Sequence, residues 1–156
     1  MSNDAQDKLR LQMVRAVEIE ADAEPFYNKA TELGQKAARA LGRDKRSQIT
    51  GLESIANSTQ KASDVFDYIK LRTARQKEWQ QGELGQEILK YLETDLRGKR
   101  DNIYKTLGLP PIQSARQQEV SLRQEVYMRL IRAFVAHLAA QYEFSCMTEE
   151  GNRGRR

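Results

Sequence analysis

The chain has 156 residues, 26 of them Lys or Arg and 22 Asp or Glu, for a formal net charge of +4, and 39% are hydrophobic. That length fits one domain and is enough to bury a core without disulfides or metals. A mean hydropathy of −0.76 and apolar runs of only a few residues do not suit a membrane span, which needs about 20; the opening stretch MSNDAQDKLR has no secretory apolar core, so a cytoplasmic protein is expected.

In chain order, residues 5–21 read as a first helix, with Leu9, Met13, Val14, Val17 and Ala21 at helical spacing. Asp22 is a candidate cap for a second helix, with Pro25 in its first turn. Phe26, Ala30, Leu33, Ala37 and Leu41 form its apolar stripe, and Gly42 follows as a stop. Residues 43–46 make a charged connector. Ser47 is a candidate cap for a short third helix carrying Ile49, Leu52, Ile55 and Ala56, in which Gly51 costs about 1 kcal/mol against alanine. Asn57, Ser58 and Thr59 are turn residues. A fourth helix faces Ala62, Val65, Phe66 and Ile69 inward.

Gln80, Gln81 and Gly82 interrupt the pattern. A fifth helix runs from about Glu83 to Leu107, with Ile88, Leu92, Leu96, Ile103 and Leu107 as its seam. Gly108, Pro110 and Pro111 end it. Ser114 is a candidate cap for a sixth helix, whose stripe is Val120, Tyr127, Leu130, Ile131, Phe134, Leu138 and Tyr142. No alternating strand pattern occurs. The expectation is an all-α fold: an antiparallel bundle of five or six helices in a single domain, residues 1–147, followed by a flexible basic tail, residues 148–156.

Catalytic chemistry needs a nucleophile, a base or a metal set. His137 is the only histidine and Cys146 the only cysteine. Nine residues apart, they do not make a zinc pattern. No phosphate-cradling glycine loop follows a strand. The chain is therefore expected to be no enzyme, with no catalytic residue, metal or cofactor, and to act by binding or assembly.

The charge is unevenly distributed. Residues 1–24 carry a net −3, residues 25–77 a net +6, and the rest a net +1. Such asymmetry points to a polyanionic partner. On the second helix Lys29, Lys36, Arg39 and Arg43 share one side; on the fourth, Lys61, Tyr68, Arg72 and Arg75 do. Lys45 and Arg46 lie between. Together, Lys36, Arg39, Arg43, Lys45, Arg46, Lys61, Tyr68, Arg72 and Arg75 are the candidate nucleic-acid-binding residues. The cations neutralise phosphates, and Tyr68 and Trp79 are candidate stacking platforms for bases. The competing reading is that these residues rim the core, with Tyr68 and Trp79 partly buried.

The stretch Lys45-Arg-Ser-Gln-Ile-Thr-Gly-Leu-Glu, followed by Ser58-Thr-Gln-Lys-Ala-Ser-Asp-Val-Phe-Asp-Tyr-Ile-Lys and Thr73-Ala-Arg-Gln, resembles the small helical subunits of type III CRISPR effector complexes. The small subunits of type I complexes of subtype D are a near neighbour. The resemblance covers residues 29–79. It implies a non-catalytic subunit of an antiviral ribonucleoprotein complex. It further implies partners: guide RNA and target-strand nucleic acid (RNA or single-stranded DNA), other CRISPR effector subunits, and further copies of this chain stacked head to tail in a filament, with no membrane. Two alternatives stand beside it. One is a helical protein–protein adaptor or structural subunit without nucleic acid. The other is a small DNA-binding regulator that uses residues 47–79 as two helices across a turn.

Overall fold

The computed structural model describes residues 3–110 and 117–153. The described residues form α1 (Asn3–Asp22), α2 (Glu24–Leu41), α3 (Arg46–Ser58), α4 (Ala62–Arg75), the single turn α5 (Lys77–Gln80), α6 (Leu84–Lys90), α7 (Leu96–Thr106) and α8 (Gln117–Arg153). A 3₁₀ turn, Arg43–Lys45, joins α2 to α3, and a π-helical turn, Tyr91–Asp95, joins α6 to α7. Backbone angles stay helical through that π turn, so α6 and α7 act as one rod. With that rod counted once and α5 taken as a connecting turn, the all-α bundle has six helices, and no strand occurs among the described residues.

The α2 stripe is buried as expected: Phe26, Ala30, Leu33, Ala37 and Leu41 meet the Leu130–Tyr142 face of α8, also buried. Gly34 lets the two backbones approach, since a Cβ there would lie 2.6 Å from the Leu138 carbonyl oxygen and 2.7 Å from Gln141 Cβ. Phe26 packs edge-on against Phe134, with ring centroids 6.1 Å apart, and Tyr142 donates its hydroxyl hydrogen to the Gly42 carbonyl. These contacts advance along both helices together, so α2 and α8 run in the same sense. The pairs α3–α4 and α7–α8 are antiparallel: Gln48, near the start of α3, meets Tyr68 midway along α4 and Gln76 just past its end. Along α7 and α8, for instance, Tyr91 stacks on Phe134 at 4.7 Å, while Asp101 reaches back to Arg123.

Two expected caps are not used. Asp22 is the last residue of α1, and Ala23 occupies the cap position of α2 without a side-chain bond. Pro25 does sit in the first turn of α2. Ser47 lies inside α3, which begins one residue earlier behind Lys45. The stops hold: Gly42 and Gly108 have φ of 60° and 73°, and their N–H groups bond back to Ala38 and Lys105. The expected boundary at 147 falls within α8, whose backbone is described to Arg153; Ser114, Pro111 and residues 154–156 lie outside the described residues.

Candidate nucleic-acid interface

The fold brings the C-terminal ends of α2 and α4 to a shared junction. Arg39 is in the last turn of α2, and Arg72 and Arg75 are in the last turn of α4. Helix C-termini carry partial negative charge, so cations there stabilise the helix by about 0.3–1 kcal/mol each. The connector between α2 and α3 supplies Arg43, Lys45 and Arg46. Lys45 Nζ donates to Gln76 Oε1 at 3.2 Å, and Gln76 directly follows Arg75. The two basic groups, remote in sequence, therefore meet.

A polar network built on Gln48 holds this junction. Gln48 is 8% exposed. Its Oε1 accepts from Trp79 Nε1 at 2.6 Å, and its Nε2 donates to Gln76 Oε1 at 2.9 Å. Its backbone carbonyl accepts the Tyr68 hydroxyl at 2.6 Å. Each buried polar group thus gains a partner, which avoids a desolvation penalty of about 1–3 kcal/mol apiece. The Gln48 and Gln76 side chains are the determinants that sequence reasoning missed. The signal was present in the two glutamines flanking the basic segments, but their partners lie 28 and 31 residues apart.

This arrangement corrects the reading of both aromatics. Trp79 is fully buried, so it offers no face to a base. Tyr68 is half-buried, with its hydroxyl spent on Gln48 and the Arg72 guanidinium 5.1 Å from its ring centroid.

The cations divide into paired and open groups. Lys36 is half-buried and bound to Glu87 at 2.8 Å. Arg46 is exposed and bound to Glu143 at 2.7 Å. Arg43 is exposed beside Asp44. Among the described residues, Arg39, Lys61 and Arg75 are exposed and form no ion pair. Lys61 caps the other end of α4. At 1.5 Å per residue it stands roughly 20 Å from Arg75, so it does not join the junction. Glu53, half-buried on α3, has its carboxyl pushed above the usual range by burial and then by the nearby Glu143 charge.

Among the described residues no group of three His, Cys, Asp or Glu side chains gathers as a metal site would, and no helix is long and apolar enough to cross a membrane. Comparison with protein-family models, curated proteins and solved structures finds no match.

Proposed function

We propose that this chain is a non-catalytic subunit that binds the sugar-phosphate backbone of RNA or single-stranded DNA. The supporting observation is that the basic connector after α2 and the basic end of α4 are linked through Lys45 and Gln76, with Arg39 and Arg75, in the last turns of α2 and α4, exposed and without an ion pair. Cations so placed attract phosphates and release counterions without reading sequence. With Trp79 buried and Tyr68 engaged, the binding is electrostatic rather than based on stacking. The resemblance of residues 29–79 extends the proposal: the complex served is a cytoplasmic CRISPR ribonucleoprotein, in which the chain contacts guide RNA, target strand and neighbouring effector subunits.

The test is single-stranded RNA binding at several salt concentrations, comparing the parent with Arg39→Ala, Arg72→Ala, Arg75→Ala and the triple variant. Each change should weaken binding to all sequences alike and lower the salt slope by about one unit or less. Melting should hardly move, since exposed charges contribute about 0–1 kcal/mol. A triple variant that binds as the parent does refutes the proposal. For the narrower assignment, the chain purified from its host should carry guide RNA; its recovery without RNA and without effector subunits refutes that assignment.

One observation favours the adaptor reading. Leu11, Ile19, Leu71, Phe144 and Met147 are between 48% and 74% exposed, which is apolar surface suited to protein partners.

A further inference from the structure

Helix α8 lies between α2 and α3. Phe26 on Phe134 and Gly34 against Leu138 mark one flank. On the other, Arg46 meets Glu143, while Arg132 donates to the Ala56 and Thr59 carbonyls at 2.9 Å each. The inner face of α8 is the core stripe already described. Its outer face has no cover: Ala136 and Ala140 are exposed, Ala133 is half-buried, and Phe144 and Met147 are 58% and 54% exposed. Ala133, Ala136, Ala140, Phe144 and Met147 recur at three, four, four and three residues, which is one line along the helix. Between Arg132 and Glu143, α8 has no Lys, Arg, Asp or Glu at all. A helix that is apolar all round is one that is covered all round.

This face is complementary to itself. One end of the line is small, built from three alanines; the other is large, with Phe144 and Met147. The charges beside the two ends also differ. At the alanine end stand Arg129, Arg132 and Arg10, against Glu125 alone. At the Phe144 end stand Glu143 and Glu53, which lies close enough to feel the Glu143 charge, against Arg46 alone. Arg43 and Asp44, just beyond the Gly42 carbonyl that Tyr142 reaches, cancel one another. A parallel pairing would set cation against cation and ring against ring, with a gap between facing alanines. An antiparallel pairing sets the large end over the small one and opposite charges together.

We propose that the outer face of α8 joins two copies of this chain, antiparallel, about a two-fold axis that passes between Ala136 and Ala140. Ala136 of each copy faces Ala140 of the other, which lets the backbones approach closely. Phe144 and Met147 then cover the alanine end of the second copy, near Arg129 and Arg132, where a guanidinium favours an aromatic face. Such a contact uses the same patch twice and closes at two copies. It therefore differs from a head-to-tail stack, and it depends neither on the family resemblance nor on the nucleic-acid reading. A strip about 21 Å long and 10 Å wide is small beside the roughly 800 Å² per partner of a stable interface. The rims of α2 and α3 must contribute, as through Tyr27, which is 48% exposed with its ring 5.2 Å from that of His137. The dimer is accordingly a reversible one.

Sedimentation velocity of the full chain over rising concentration, after nuclease and high-salt washing, tests the pairing. The parent should pass reversibly from one copy to two and stop there. Ala140→Glu places a charge on the axis at an exposed helical position and should remain a single copy with its circular dichroism melt unchanged. Phe144→Ala should dimerise about tenfold more weakly, and it keeps the test open should Ala140→Glu melt early. Orientation is read by disulfide trapping. A mixture of Ala136→Cys and Ala140→Cys chains should cross-link to each other faster than either does to itself. A parent that stays single at every concentration, a series that grows past two copies, or variants that associate as the parent does overturns the proposal. So does self-linking that outpaces the mixed product, because that is the mark of a parallel pair.

Discussion

The hydroxyl of Tyr68 reaches the backbone carbonyl of Gln48 through space that residue 51 leaves open: a Cβ on Gly51 would lie 2.5 Å from that hydroxyl. A glycine inside α3 looks like a defect in sequence, where alanine gains about 1 kcal/mol of helix propensity. In the fold it is the clearance for a hydrogen bond that ties α4 to α3. Gly51→Ala should therefore destabilise the chain, by about 1–2 kcal/mol, once the bond to Gln48 is lost. In a Tyr68→Phe background the same change should be neutral or stabilising. Denaturant melts of the four chains check this, and an equal effect in both backgrounds contradicts it.

Phe134 is fully buried between Phe26 and Tyr91. Phe134→Ala should cost about 3–5 kcal/mol, from lost burial and the cavity left behind. An unchanged thermal midpoint would remove this face from the core.

Tyr127→Phe deletes the donor to the Leu92 carbonyl, which belongs to the π turn. The unpaired buried carbonyl should cost about 1–3 kcal/mol. Hydrogen exchange around Leu92–Leu96 should quicken more than exchange in α2; uniform change would show that the bond does not hold the turn.

Glu53 carries a stability cost that depends on pH. Burial, reinforced by Glu143, raises its carboxyl above the ordinary value. The folded state then binds its proton more tightly than the unfolded chain does. Stability consequently falls as pH rises through the interval between the two values. Glu53→Gln should raise the melting temperature at neutral pH and leave it unchanged below the ordinary glutamate range. A gain that persists in acid would assign the effect to packing instead.

The stripes of α2 and α8 were legible in sequence because their apolar residues recur at helical spacing and face one another. The caps were not. Ala23 and Lys45 hold cap positions with no side-chain bond, so Asp22 and Ser47 were false signals. Chain order was enough to place Lys45 near Arg75. It could not show which cations are already neutralised, because Glu87 lies 51 residues from Lys36 and Glu143 lies 97 from Arg46. Tyr68 and Trp79 looked available for stacking for the same reason: their partner, Gln48, is 20 and 31 residues away.

Leu84, Ile88, Leu92, Leu96 and Arg100 are all buried, and each lies four residues beyond the last. On an uninterrupted α-helix, four residues overshoot one turn, and sixteen would rotate Arg100 about 160° from Leu84. The π turn at Tyr91–Asp95 amounts to one added residue, which takes back about 100° of that drift. A single-residue deletion within the turn, such as loss of Thr94, would wind the rod into plain α-helix. Because that deletion removes the added residue, Arg100 would keep its place over the Tyr127 ring; winding the turn into α-helix with every residue kept would instead rotate it away by about 100° while Leu84 and Ile88 stayed in place. The inward aim of one arginine is thus set by a helical register several residues upstream of it.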